Sequence, residues 1–305
     1  MSDNQSTSLL NPKILIPFLV VTLIWGATWI VIRDQLGVVP PSWSVTYRFL
    51  LAGLVMLAVA WFSGASLRLS RAGFGFVLIF GLAQFLFNFN FVYRAEEHIT
   101  SGLVATVFAL LFVPNALFSR IFLGHRTTPQ FWVGSAVAIG GLSLLFINEL
   151  QGDANSQTQT LMGIGFTLMG VISASCANVM QASERARSMP MPTILAWGMI
   201  CGGLADGLFA WTLHGPPVVE LRLGYFLGIA YLGIIGSALA FSLYFGVVRS
   251  IGPAKAAYSS VIIPIIAMLI STFAEDYRWT TLAAGGAALA MVGAFIALSA
   301  PRPST

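Results

Sequence analysis

Apolar residues come along this chain in long runs, broken at short clusters of charged and turn residues, and each run approaches the roughly 20 residues that cross a bilayer core. The pattern predicts helices at roughly 14–33, 42–62, 73–94, 99–123 and 130–149, then at roughly 160–183, 192–213, 223–248, 254–273 and 279–299. Backbone amides in hydrocarbon must be satisfied within their own segment. Strands would need a closed barrel with period-two alternation, which is absent. The longest interior polar run, Gln151 to Thr160, lies between two five-helix blocks. The organisation expected is therefore a tail at 1–13, a first block at 14–149, a linker at 150–160, a second block at 161–299 and a tail at 300–305.

The basic residues orient these helices. Lys13, Arg68, Arg71, Arg120, Arg126, Arg185, Arg187, Arg249, Lys255 and Arg302 fall on one side of the predicted membrane; Arg33, Arg94, Arg222 and Arg278 fall on the other. The richer side is expected to be cytoplasmic and to hold both termini, with the linker outside. Because five is odd, a second block sharing the fold of the first enters the membrane from the opposite side. The fold class expected is all-α and integral to the membrane, with ten transmembrane helices as two inverted repeats around a central cavity. Pro114 in the fourth helix and Pro264 in the ninth occupy similar places, and Gly134, Gly140 and Gly141 of the fifth match Gly285, Gly286 and Gly293 of the tenth.

Composition excludes a soluble protein: 57% of residues are hydrophobic and only 9% charged, against roughly 25% charged in soluble domains. The net charge of +4 is spread singly between apolar segments, which suits membrane orientation and no nucleic-acid partner. Cys176 and Cys201 lie in apolar segments and imply neither a disulfide framework nor a metal site. His98, His125 and His214 stand at predicted helix ends, and the zinc, nucleophile-elbow and phosphate-loop motifs are all missing. No enzyme, no cofactor and no direct ATP drive are expected. A channel would want a repeated filter or ring, and none is found.

Three motifs carry a family resemblance: Trp25-Gly26-Ala27-Thr28-Trp29 in the first helix, Arg48 early in the second, and Leu123-Gly124-His125-Arg126-Thr127-Thr128-Pro129 running to Gly134. Together they resemble EamA-type carriers of the drug/metabolite transporter superfamily, and within it the bacterial exporters of aromatic and neutral amino acids. The resemblance covers essentially the whole chain. It implies a multi-pass protein of the bacterial inner membrane that exports a small amino-acid-like solute by alternating access; the oligomeric state is left open, a monomer being one option. A drug, nucleoside or other metabolite is the alternative cargo. Many members carry a Glu before the proline of the fourth or ninth helix. Val113 and Ile263 stand there instead, which argues against proton coupling by that route.

Polar residues inside spans are costly and therefore mark candidate sites. The third helix sets Gln84 and Asn88 four residues apart, with Phe91 continuing that face. Amides beside aromatic rings suit the two charged ends and the apolar body of a zwitterion, although such amides also cross-link helices. Trp25, Tyr244, Tyr258 and Ser259 complete the substrate-binding set, and Pro114 and Pro264 are hinge candidates, with a static bend as the alternative. Arg48 and Asp206 are the formally charged residues deep within spans. They are coupling candidates at similar depth, where a buried pair would relieve the cost of both. Alternatively, Arg48 snorkels or holds a loop, and Asp206 belongs to the packing surface of Gly198, Gly202, Gly203 and Gly207.

Overall fold

A computed structural model describes residues 11–124, 126–150, 154–251, 256 and 259–299. The described residues are helices joined by short loops. α1 spans Pro12–Asp34 and α2 Pro41–Phe62. α3 spans Arg71–Glu96 and α4 Ser101–Leu123. α5 spans Pro129–Glu149, α6 Ala154–Ala182 and α7 Met191–His214, with a single helical turn at Glu184–Arg187. α8 spans Leu223–Ser250, α9 Ser259–Ala274 and α10 Thr281–Leu298. Eight of them, α1 to α8, are long and apolar enough to cross a membrane, while α9 and α10 are shorter and also apolar. Large apolar side chains stay exposed on the outer faces, among them Leu23, Leu54, Trp61, Ile79, Leu208 and Phe273. A helix apolar on every side has hydrocarbon as its natural solvent, so the chain is a multi-pass membrane protein.

Helix ends follow local chemistry. Pro12, Pro41 and Pro129 each open a helix, where a missing N–H costs nothing. Gly124 ends α4 with φ +69°, a backbone shape that side-chain-bearing residues disfavour. α6 begins at Ala154 and not near 160, so described residues of the polar run expected to be a linker form its first turns. Such turns sit beyond the apolar part of the helix, and Gln159 there bonds to His98 at the far end of α3.

Two seams hold the helices at backbone distance. α5 and α10 run antiparallel, with glycines of each against the main chain of the other. A methyl group placed on Gly134 would lie 2.3 Å from Ala297 N; on Gly141, 2.3 Å from Ala290 N; on Gly286, 2.5 Å from Leu145 N; on Gly293, 2.2 Å from Ala138 N. α2 and α7 do the same less tightly, where a methyl group on Gly53 would lie 2.6 Å from Ile200 Cγ1 and one on Gly203 3.1 Å from Leu50 N. Gly81 of α3 also meets Gly198 O of α7. Small residues are the usual means of close helix packing where lipid removes the hydrophobic driving force.

α3 and α8 are built differently. Each widens into a π-helical stretch midway, at Leu82–Phe87 in α3 and Tyr231–Leu239 in α8. α4 instead tightens into a 3₁₀ turn at Ala109–Leu111. Pro114 explains the tightening, since it offers no N–H to Leu110 O and its ring crowds that carbonyl. Pro264 lies inside α9.

Candidate functional site

Between the irregular helices lies a cavity of about 110 Å³. α1 contributes Trp25, Thr28, Trp29 and Ile32; α2 contributes Arg48; α3 contributes Gln84, Asn88, Phe89 and Val92. Phe108, Phe112 and Asn115 come from α4, Asn178 from α6, Phe241 and Tyr244 from α8, and Ser259, Ser260, Ile263 and Pro264 from α9. The wall is mostly aromatic and aliphatic with a few polar groups, as in most small-molecule sites.

The polar groups are buried and incompletely bonded. Gln84 Oε1, Asn88 Oδ1, Asn115 Oδ1, Trp29 Nε1 and Arg48 Nη1 have no hydrogen-bond partner within the protein. An orphaned buried polar atom costs roughly 1–3 kcal/mol. Five on one cavity wall form a set of donors and acceptors suited to a polar solute. Asn88 Nδ2 donates to the main-chain carbonyl of Gln84 at 3.4 Å, one turn back across the π-helical stretch, while the side-chain oxygens of both residues stay open.

The second π-helical stretch anchors the opposite wall. Trp25 Nε1 donates to Gly236 O at 3.2 Å, using a carbonyl within the widened turn. Arg48 Nε donates to Ser237 Oγ at 2.9 Å. Trp25 also packs on Tyr244, with ring centres 4.8 Å apart. Gly236 packs closely here: a methyl group on it would stand 2.9 Å from Thr28 Cγ2 and push that side chain aside. The guanidinium carbon of Arg48 lies 4.3 Å from the centre of the Phe89 ring and 5.2 Å from that of Phe49, and the residue is 1% exposed. Cation–π contacts reach about 2 kcal/mol when desolvated, which offsets part of the cost of burying that charge.

Arg48 neither snorkels nor pairs with Asp206. Asp206 is fully buried elsewhere between α2, α3 and α7, where Asn90 Nδ2 donates to Oδ1 at 2.6 Å and Thr46 Oγ1 stands 3.3 Å from Oδ2. Ser42 Oγ completes the cluster by donating to Asn90 Oδ1 at 2.6 Å. Amide and hydroxyl donors on α2 and α3 thus occupy the carboxylate at a distance from the cavity wall.

The other expected residues divide. Trp25, Gln84, Asn88, Tyr244, Ser259 and Pro264 line the cavity. Phe91 does not: its ring stacks between Phe87 and Phe166, 6.4 Å from each, against α6, and Val92, four residues after Asn88, takes the wall position. Pro114 is next to the wall residue Asn115, and Tyr258 lies outside the described residues. Sequence reasoning missed Phe89 as a wall residue, and Asn178 altogether. An amide within the apolar stretch of the sixth helix was a usable signal for Asn178.

Away from the wall residues, Glu275 ties several helix ends together. Ser101 donates to it from N at 3.1 Å and from Oγ at 2.5 Å, and Ser271 Oγ donates at 2.7 Å. Arg33 Nε lies 3.6 Å away, and Arg33 Nη1 reaches the carbonyl of Glu96. The C-terminal ends of α1, α3 and α9 thereby meet the N-terminus of α4, where a carboxylate also complements the helix dipole. Among the described residues no group of three or more His, Cys, Asp or Glu side chains is placed to hold a metal.

The family model described as "EamA-like transporter family" matches residues 12–147 and again 161–299. The "Uncharacterized inner membrane transporter YedA" of Escherichia coli (strain K12) is 30% identical over 258 residues, covering 82% of this chain and 79% of that protein. A "Probable amino-acid metabolite efflux pump" of the same organism is 23% identical over 289 residues, covering 91% and 92%. A solved crystal structure overlays with a TM-score of 0.69 at 19% identity, covering 93% of this chain and 96% of that one, which shows a shared fold.

Proposed function

The chain belongs to the EamA-like transporter family, and we propose that it exports small neutral or aromatic amino acids across the inner membrane by alternating access. The observation that carries this reading is the aromatic cavity whose buried donors and acceptors lack partners in the protein. Arg48 Nη1 and Trp29 Nε1 suit a carboxylate; the oxygens of Gln84, Asn88 and Asn115 suit an ammonium group. The names of the relatives, an inner membrane transporter and an amino-acid metabolite efflux pump, agree with it.

The reading includes ten membrane crossings in two inverted repeats, with both termini cytoplasmic. The seams support it: the second helix of each half pairs with the second of the other, and the fifth with the fifth. In both seams, contacts that advance along one helix retreat along its partner. The third helix of each half carries the π-helical stretch, which supports the same relation. Rocking about Pro114 and Pro264 would expose the cavity to each side in turn. Glu275 would close the outer end, and Asp206 would clamp α2, α3 and α7 together without coupling to protons.

Purified protein in proteoliposomes tests the proposal, with labelled L-amino acids, a nucleoside and a nucleotide sugar supplied with and without an imposed pH gradient. Saturable flux of aromatic or neutral amino acids, indifferent to the gradient, is the expected result. Flux of the nucleoside or nucleotide sugar alone would overturn the substrate, and flux that follows the gradient and is lost in Asp206→Asn would overturn the clamp.

A further inference from the structure

The cavity wall carries one formal charge and, among the described residues, no carboxylate to cancel it. Arg48 is 1% exposed, spends Nε on Ser237 Oγ and rests on the faces of Phe89 and Phe49, which are uncharged. Its Nη1 is unpartnered on the wall, as is the indole N–H of Trp29. The buried acids stand off the wall: Asp206 accepts from Asn90, Glu275 accepts from Ser101 and Ser271, and Glu96, whose buried carboxylate oxygens have no hydrogen-bond partner, ends α3 beyond the wall residues and acts on Arg48 through space without a salt bridge.

Resting on the reading of this cavity as the solute site, we propose that Arg48 is a carboxylate receptor and that the favoured solutes are monocarboxylates with an aromatic or apolar body. The amino group is dispensable. One guanidinium and one carboxylate make a neutral pair in an apolar enclosure, joined by charge-assisted bonds about twice as strong as neutral ones. A zwitterion brings an additional ammonium that meets only the neutral amide oxygens of Gln84, Asn88 and Asn115, so its charge is buried without a counter-ion. The site therefore reads the acid end of the solute by charge and the opposite end by shape and dipoles. A phosphate dianion would leave negative charge uncompensated, and a cationic solute would face Arg48 directly.

The test is competition against saturable flux of labelled L-phenylalanine in proteoliposomes of the full chain. The competitors are unlabelled phenylalanine, 3-phenyllactate with a hydroxyl in place of the amino group, and L-phenylalaninamide with its carboxylate blocked. Phenyllactate is expected to inhibit at or below the concentration needed for phenylalanine, and phenylalaninamide to need about tenfold more or worse, the scale of one charge-assisted contact. Chloride at equal concentration is expected to have no effect. In Arg48→Gln, inhibition by phenyllactate should weaken about tenfold while the weak effect of phenylalaninamide stays the same, which also controls for folding. If Arg48→Gln does not fold, the competitor series on the wild-type chain decides alone. Equal inhibition by phenylalanine and phenylalaninamide, or failure of phenyllactate, would overturn the carboxylate receptor while leaving the carrier intact. Inhibition by chloride matching that by phenyllactate would reduce Arg48 to a general anion site. Absence of saturable flux of both phenylalanine and labelled phenyllactate would instead remove the underlying reading of the cavity.

Discussion

The α5–α10 seam and the walls of the cavity are both made inside the membrane, from much the same stock of small and apolar residues, yet they are opposite constructions. At the seam, glycines bring backbone to within contact of backbone, and a single methyl group at Gly293 would strike Ala138 N at 2.2 Å. Around the cavity, α3 and α8 widen, α4 tightens before its proline, and polar atoms are left without partners. The first arrangement leaves no room for alternatives. The second keeps polar groups unsatisfied that a solute can satisfy, three of the five on α3 and α4, which carry irregular turns. Stability and function are thus assigned to different helix pairs, and substitutions should separate them.

The largest effect is expected at the seam. Gly293→Val forces branched carbon into the backbone of α5 and should destabilise the fold by about 3 kcal/mol, the upper end of overpacking costs. Thermal unfolding followed by gel filtration would show it; an unchanged melting curve would break the claim that the seam is rigid. At the cavity wall, Asn88→Ala should reduce amino acid flux about tenfold, on the scale of one lost polar contact to solute, while stability stays within about 1 kcal/mol. Since Asn88 Oδ1 has no partner to lose, a large drop in melting temperature would mark the residue as a structural cross-link.

Trp25→Phe keeps the ring that packs on Tyr244 and deletes the hydrogen bond to Gly236 O. A cost of about 1 kcal/mol in stability is expected, together with an altered half-saturation concentration for the solute. Unchanged flux kinetics would detach the second π-helical stretch from the site. The smallest effect belongs to Arg222, an exposed side chain that bonds Asp34 and Glu220 at the helix ends. Arg222→Gln should leave both unfolding and flux as in the parent protein, because exposed ion pairs are weak. A marked change in either would show that closure of this end depends on more than Glu275.

How much of this was legible in the sequence follows from the physics of each feature. The long apolar runs predicted the membrane-spanning helices because hydrocarbon demands continuous helices, and Gly134, Gly141, Gly286 and Gly293 were visible as small residues at helical spacing. The amides of α3 stood out because buried polar residues are costly, and Gln84 and Asn88 do line the cavity. The side of α3 on which Phe91 falls was not legible, since the wall continues from Asn88 to Val92 and leaves Phe91 to pack on Phe166. The π-helical stretches themselves have no signature in residue type. Equal depth suggested a pair between Arg48 and Asp206, but which helix face each occupies is decided by tertiary packing, and Asn90 claims the acid first.

The most direct test of the carrier reading is counterflow. Proteoliposomes preloaded with unlabelled L-phenylalanine are diluted into a trace of the labelled form, and accumulation of label is followed with time. A cavity that opens alternately to each side returns loaded and predicts a transient overshoot of label above equilibrium, lost in Asn88→Ala while the protein stays folded. Monotonic equilibration with no overshoot and no acceleration by the internal amino acid would contradict alternating access through this cavity.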